Sequence, residues 1–317
     1  MPVGLCYYTF THLAPGYDGY DLMNLAKEQG LTGAEFPPDG CLPDLSEQSL
    51  SKARQYASDH GLFLIADGGI VEDEMLRRLI PAAHALGTPV LRVILSGILG
   101  GDRRPLAGKW DQHLDSCIEI LKGVLPLAKE YGVSIAIENH SDATSRDLLK
   151  LCETLNSEYI GITLDTGNVL SVLEEPIGYA TRLMPFLKNV HLKDYTIHPT
   201  EEGYRIARCA LGKGVVDFPG LMEVIDRHHP DITKTIELGA VHARHVRMLM
   251  DDYWAEFPDR IFSDMLPHQR LFWDHVRPRE EDWRTPHERE ETDDVLAAYE
   301  TREFQESVSY LKEIGLV

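Results

Sequence analysis

An α/β fold, a (β/α)8 TIM barrel with a C-terminal helical extension, is predicted by three features of the sequence. Eight short apolar runs alternate with longer helical patterns through residue 240. Several helical patterns end on a glycine just before the next run. The first run leads into "THLAPGYDG", which lacks the G-x-G-x-x-G turn of the main rival, an open doubly wound sheet. The length of 317 residues fits a barrel, since such folds take about 250 residues as one unit.

The candidate strands are "GLCYYTF" (4 to 10), "GAEF" (33 to 36), "LFLIADG" (62 to 68), "VLRVILS" (90 to 96), "SIAIENH" (134 to 140), "IGITLDT" (160 to 166), "NVHLKDY" (189 to 195) and "KTIELG" (234 to 239). Between them lie helices such as 46 to 59, with Ser46 as N-cap, and 111 to 131. The second carries Leu114, Ile118, Leu121, Leu125 and Ala128 on one stripe. Gly30, Gly61, Gly87 and Gly132 close "KEQG", "SDHG", "HALG" and "KEYG", where a left-handed cap is favoured. Strands linked through helices run parallel.

Residues 1–240 are read as the catalytic barrel and 241–317 as a helical extension packing on the barrel or on a partner subunit, which would make a homo-oligomer. The extension holds 18 acidic and 10 basic residues, so "RPREEDWRTPHEREETDD" is expected to be a solvated loop or arm. A closing helix, 293 to 314, presents Val295, Leu296, Tyr299, Phe304, Val308 and Leu311 before Gly315.

With 31 basic against 51 acidic residues the formal charge is −20, which repels nucleic acid and anionic membranes. Small neutral or metal-bridged substrates stay open. The five cysteines, Cys6, Cys41, Cys117, Cys152 and Cys209, are odd in number and scattered. They suggest no disulfide frame or thiolate metal site, and hence a reducing cytoplasm. The start "MPVGLCYYTF" lacks signal-peptide features, and no apolar run approaches membrane-spanning length.

Strand side chains alternate faces. Ser134, Ala136 and Glu138 oppose Ile135 and Ile137; Gly161, Thr163 and Asp165 oppose Ile160, Ile162 and Leu164. Asn189, His191 and Lys193 oppose Val190 and Leu192; Thr235 and Glu237 oppose Ile236 and Leu238. The branched faces suit the helix layer, so the small and polar faces point to the axis. Barrel closure then brings Glu138, Asp165, His191 and Glu237 together near the carboxyl ends of consecutive strands. Three carboxylates crowded without a cation are costly, and a divalent metal removes the problem. Singly, each residue has an ordinary alternative: Asp165 an Asx turn before Thr-Gly-Asn, Glu138 a paired acid, His191 a core histidine, Glu237 a cap.

On the motifs "IAIENH", "LDTGN", "VHLKD", "LGKGVVDF" and "TIELG", the chain resembles the xylose isomerase-like TIM barrel superfamily, in its sugar phosphate isomerase/epimerase branch. The resemblance covers roughly residues 1 to 240. It implies that Glu138, Asp165, His191 and Glu237 bind one divalent ion, with Glu138 and Glu237 also serving as acid and base. Three oxygens and one nitrogen suit Mn²⁺, Mg²⁺ or Co²⁺, with Zn²⁺ possible. The ion would polarise a substrate carbonyl while one glutamate takes the neighbouring proton and the other returns it. The implied activity is an isomerase or epimerase of a small polyhydroxylated carbonyl compound through an enediolate.

The chain departs from that pattern in two places. Asn168 stands where many such epimerases have a histidine, and "DYTIH" follows His191 where an arginine is common. Asn168 can hold a hydroxyl but cannot act as an acid. It also removes a ligand expected of the three-metal endonuclease IV-type relatives, and the charge of −20 argues against a grip on DNA. The alternative enzyme class is a metal-dependent lyase, a dehydratase or decarboxylase of a keto-sugar acid, for which Arg92, Lys193 and Lys213 are the residues to watch. A binding module that has lost turnover is a third.

Further substrate-binding candidates are His140, Asn168, Lys193, Arg92 and Glu35. His140 either holds a hydroxyl or tunes Glu138. Glu35, Asp67 and Arg92 face inward by parity; Arg92 either holds a substrate carboxylate or, as favoured here, pairs with Glu35. Asp194 is a possible substrate contact. "LGKG" (211 to 214) suits a turn better than a phosphate cradle, and Trp110 and Trp254 suit core packing better than a pocket wall.

Overall fold

The computed structural model describes every residue except 14, 15 and 259. Residues 14 and 15 belong to the "THLAPGYDG" segment, so that part of it lies outside the described residues. Eight parallel strands close a barrel: β1 (Val3–Cys6), β2 (Gly33–Phe36), β3 (Phe63–Ile70), β4 (Val90–Ile94), β5 (Ser134–Glu138), β6 (Ile160–Asp165), β7 (Leu187–Leu192) and, last, β10 (Lys234–Ile236). The order around the ring is β1-β10-β7-β6-β5-β4-β3-β2. The expected (β/α)8 barrel is therefore formed.

The layers follow from the two-residue alternation. Ile135, Ile137, Ile162, Leu164, Val190, Leu192 and Ile236 are fully buried outside the ring, against helices such as Glu47–Asp59 and Trp110–Tyr131. In the latter, Leu114, Ile118, Leu121 and Ala128 are buried as the stripe predicts, but Val124 replaces Leu125 at full depth. Ser46 caps the first by accepting from Ser49 N at 3.2 Å. Gly87 and Gly132 end their helices with φ of +83° and +65°, which a side chain would strain.

Most strands stop earlier than the apolar runs. "GLCYYTF" turns into a 3-10 helix after Cys6, and Thr9 donates to Ile236 O at 2.7 Å, tying that turn to β10. Four to six residues cross the ring on most of the strands; the remaining apolar residues line the loops above it.

"NVHLKDY" breaks at Lys193. Beyond it a separate antiparallel sheet rises: β8 (Asp194–Pro199), β9 (Tyr204–Cys209) and β11 (Arg244–Val246), in the order β11-β9-β8. Residues beyond 240 thus add a strand to this sheet, the helix Phe262–His275 and the closing helix Asp293–Glu313. The closing helix buries Leu296, Phe304, Val308 and Leu311, while Val295 is exposed. It holds the loop after β1: the Glu300 carboxylate accepts from the backbone of Thr11, His12 and Leu13 at 2.8–3.1 Å. Glu303 pairs with Arg208 at 2.8 Å. The arm between the two helices is irregular and mostly exposed, as expected, though Trp283 lies under the Arg205 guanidinium at 4.1 Å. Among the described residues, no helix is long and apolar enough to cross a membrane.

Candidate active site at the mouth of the barrel

Glu138 ends β5, Asp165 ends β6, His191 is the penultimate residue of β7, and Glu237 follows β10. Each is buried, and each offers a ligand atom within 4.8 Å of the others. The convergence expected from parity is realised because β6, β7 and β10 are adjacent in the ring and in register, with Asp165 opposite His191 and His191 opposite Thr235.

Both readings of Asp165 hold together. Its Oδ1 accepts from Gly167 N at 2.9 Å and Asn168 N at 2.8 Å, an Asx turn, while Oδ2 is buried without a hydrogen bond. Asn139 locks this strand end, donating to Asp165 O at 2.9 Å and accepting from Asp165 N at 2.8 Å.

Glu35 does not pair with Arg92 and does not line the cavity. It lies beneath His191, whose Nε2 meets Glu35 Oε1 at 2.7 Å; Asn189 Nδ2, at 3.1 Å, and the Thr235 hydroxyl donate to its other oxygen. Arg92 instead pairs with Glu138 and stands 3.8 Å from Asp67. The reason is register: β4 lies beside β5, whereas β2 is two strands away.

Lys193 reaches over the rim to Glu237 and to Asp165 Oδ2, the latter at 3.1 Å. Crowding of the carboxylates is therefore relieved in part by two side-chain cations, which the charge argument from sequence did not include. Asn168 donates to Glu138 at 3.3 Å and accepts from Ser141 and Tyr195 hydroxyls, each at 3.2 Å.

Burial pushes Glu138 upward, but Arg92, His191 and more distant cations outweigh it and hold the carboxyl at about 2. Glu237 is likewise lowered, by Lys193 and His191 against burial. Asp165 is pushed by burial up to about 7, with Glu138 and Glu237 adding to the shift against Lys193. Burial lowers His191, yet Glu35 and Glu138 carry it up to about 9. His140 falls to about 4 through burial and is neutral, and its Nδ1 has no hydrogen-bond partner.

The donor set fits a divalent ion. His191 Nδ1 is a buried polar atom without a hydrogen bond, and the charge partner of Asp165 Oδ2 is the Lys193 ammonium at 3.1 Å, in a group of three carboxylates and one imidazole. With Nε2 directed at Glu35, Nδ1 faces the cluster 3.7 Å from Glu138 Oε2; an ion that displaced its proton would meet the Nδ1 lone pair, the usual arrangement of a carboxylate-supported ligand histidine.

Above the cluster is a cavity of about 230 Å³ lined by Tyr8, Gly68, Arg92, Ile94, Leu99, His140, Ser141, Asn168, Lys193, Tyr195, Glu237, Gly239 and Arg244. Of the substrate candidates, Arg92, His140, Asn168 and Lys193 line it. Asp194 does not: its carboxylate accepts from the backbone N–H groups of Tyr195, Gly212, Gly214, Val215 and Val216 at 2.9–3.1 Å. "LGKG" thus cradles an internal carboxylate, and Lys213 points to exposed surface away from the cavity. Trp110 is buried under Arg103, and Trp254 donates to Met248 O at 2.8 Å; neither lines the cavity. Sequence reasoning missed Tyr8, Ser141, Tyr195 and Arg244. The alternation of "YTIHP" and "YRIA" around Gly203 was the available signal for the second sheet.

A closed eight-stranded barrel with an acid–histidine cluster at the carboxyl ends of its strands defines the class. The chain belongs to the xylose isomerase-like TIM barrel family, whose model matches residues 23–249. It is 28% identical over 196 residues to 3-oxo-isoapionate decarboxylase of Pectobacterium atrosepticum, covering 61% of this chain and 67% of that one. It is 32% identical over 89 residues to inosose dehydratase of Bacillus thuringiensis, covering 27% and 28%. Among solved structures, D-psicose 3-epimerase of Clostridium cellulolyticum superposes with a TM-score of 0.62 at 13% identity, covering 86% and 97%. A xylose isomerase-like barrel from Mycobacterium smegmatis, in complex with magnesium, gives 0.56 at 13% identity, covering 86% and 95%. Enzymes named among these relatives thus include an epimerase, a dehydratase and a decarboxylase.

Proposed function

We propose that this chain is a divalent-metal-dependent enzyme for a small polyhydroxylated keto acid, which it decarboxylates. One observation carries the choice of reaction: Arg92 sits on Glu138 and Lys193 sits on Glu237. Both glutamates are thereby lowered, which makes them weak bases for taking a proton from carbon. Decarboxylation of a 3-keto acid needs no such base. The bond to the carboxylate carbon breaks, its electron pair passes toward the ketone oxygen, CO₂ leaves, and the carbon is then protonated.

In this reading Glu138, Asp165, His191 and Glu237 hold the ion, and Glu35 keeps His191 in the Nε2–H form. Mn²⁺, Mg²⁺, Co²⁺ or Zn²⁺ would supply a Lewis acid that withdraws charge from the ketone oxygen. Arg92 and Lys193, paired with the glutamates, hold those carboxylates ionised beside the ion. The Tyr8 phenol, raised by burial, and the Lys193 ammonium both keep a proton at neutral pH and are placed along the cavity to deliver it. Asn168 and His140 hold substrate hydroxyls. The sequence similarity to the decarboxylase, the more extensive of the two curated matches described above, supports this reading.

Proton relocation, the isomerase or epimerase reading, is the second. It is favoured by Glu138 and Glu237 standing on strands with β6 and β7 between them, which offers two carboxylates to one substrate carbon. The experiment is a panel of 3-keto sugar acids and neutral ketoses incubated with Mn²⁺ in D₂O. Metal-dependent CO₂ release from a keto acid is the expected result. Deuterium uptake into a neutral ketose, with no CO₂ from any acid, would reverse the order of the two readings.

A further inference from the structure

We infer that Arg244 is a specificity-determining residue that binds the carboxylate of the substrate, and that the sheet β8-β9-β11 exists to present it. This deepens the reading above and rests on it for the class of substrate. Three cationic side chains line the cavity: Arg92, Lys193 and Arg244. The first two are engaged by Glu138, Asp165 and Glu237. Among the described residues, the Arg244 guanidinium makes no ion pair or hydrogen bond. Nearby arginines differ: Arg247, just past the strand, pairs with Glu202 and Asp252, each at 2.9 Å, and Arg205 on the neighbouring β9 stacks on Trp283.

The placement of Arg244 is built. It lies opposite Ile206, which lies opposite Ile197, so all three share a sheet face with Tyr195. That face looks into the cavity, since Tyr195 and Arg244 both line it. The strand is gripped on two sides. A Cβ on Gly100 would come within 2.7 Å of His245 O, and one on Gly203 within 2.2 Å of Val246 O, so both turns press against the β11 backbone. A guanidinium with no internal partner, carried on a held backbone at the rim of a polar cavity, is suited to a planar oxyanion, which it can hold through two parallel hydrogen bonds. The cavity of about 230 Å³ falls below the 300 Å³ or more of sites for larger ligands, which favours a carboxylate at the end of a short polyol.

The test titrates D-ribonate, ribitol and ribitol 5-phosphate into the full-length wild-type protein and Arg244→Gln by calorimetry, with and without Mn²⁺. Ribonate should bind the wild type more tightly than ribitol, and Arg244→Gln should weaken ribonate by about 10- to 100-fold, the worth of a hydrogen bond to a charged group. Ribitol should be unchanged, and Arg244→Lys should recover part of the ribonate affinity. Equal binding of ribonate and ribitol to the wild type, binding of neither, or a parallel loss of both in Arg244→Gln overturns the inference. Tighter Arg244-dependent binding of the phosphate than of ribonate overturns the carboxylate assignment. CO₂ release is scored separately. An Arg244 effect on ribonate without CO₂ release from any keto acid removes the decarboxylase reading and leaves this one standing, whereas CO₂ release with an unchanged KM in Arg244→Gln does the reverse.

Discussion

Glu35→Gln isolates the role of the residue beneath His191. The native carboxylate takes the Nε2–H of His191 at 2.7 Å, which strengthens the Nδ1 lone pair facing the proposed ion. Gln keeps an acceptor there and loses the charge. Loss of such a supporting carboxylate costs about 10- to 100-fold in metal affinity, or about 1.4–2.7 kcal/mol. The new amide would also face Asn189 Nδ2, at 3.1 Å, and the Thr235 hydroxyl, both of which donate to Glu35 now. The Thr235 hydroxyl can rotate to accept; Asn189 Nδ2 cannot. One frustrated buried donor should lower metal-free stability by about 1–3 kcal/mol. Mn²⁺ affinity by calorimetry and urea unfolding without metal measure the two effects separately. A folded Glu35→Gln protein whose Mn²⁺ affinity stays within twofold of wild type would refute the carboxylate–histidine–metal arrangement.

Lys193→Met removes the cation shared by Asp165 and Glu237 and should cost the metal-free protein about 3–5 kcal/mol, as for a buried pair losing one member. Saturating Mn²⁺ should restore much of this in urea unfolding, and equal destabilisation with and without metal would argue that Lys193 and the ion do not meet the same carboxylates. Asp165 titrates at about 7 in the metal-free fold, above about 3.9 when unfolded. The folded state binds that proton more tightly, so the contribution of Asp165 to metal-free stability declines as pH rises from about 4 to 7. Protons on His191, carried up to about 9, and on Asp165 both compete with the ion, so Mn²⁺ affinity should fall roughly tenfold per pH unit from about 9 to 7 and more steeply below 7; a flat profile from pH 5.5 to 8.5 would contradict this. Asp194→Asn leaves several backbone N–H groups without their carboxylate and should lower stability by about 2–3 kcal/mol while leaving Mn²⁺ affinity unchanged, as read by thermal melts and calorimetry.

The sequence by itself determined the barrel and the cluster at its mouth. Period-two alternation ending in Glu138, Asp165, His191 and Glu237 sends polar side chains one way and branched apolar ones the other, and a parallel ring converts a shared parity into a shared point. Glycine at the left-handed ends of helices, as at Gly87 and Gly132, is similarly local and was legible. What only the tertiary structure decided was which charges meet. Arg92 belongs to Glu138 and not to Glu35 because pairing depends on strand neighbours, and parity says nothing of neighbours. Lys193 turns over the rim because the chain leaves β7 there to begin a second sheet. Asp194, adjacent in sequence, is instead taken by the N–H groups of a loop some twenty residues on. Arg244 comes to the cavity through antiparallel pairing with β9. Such long-range contacts are set by register and chain reversal, and no local pattern records them.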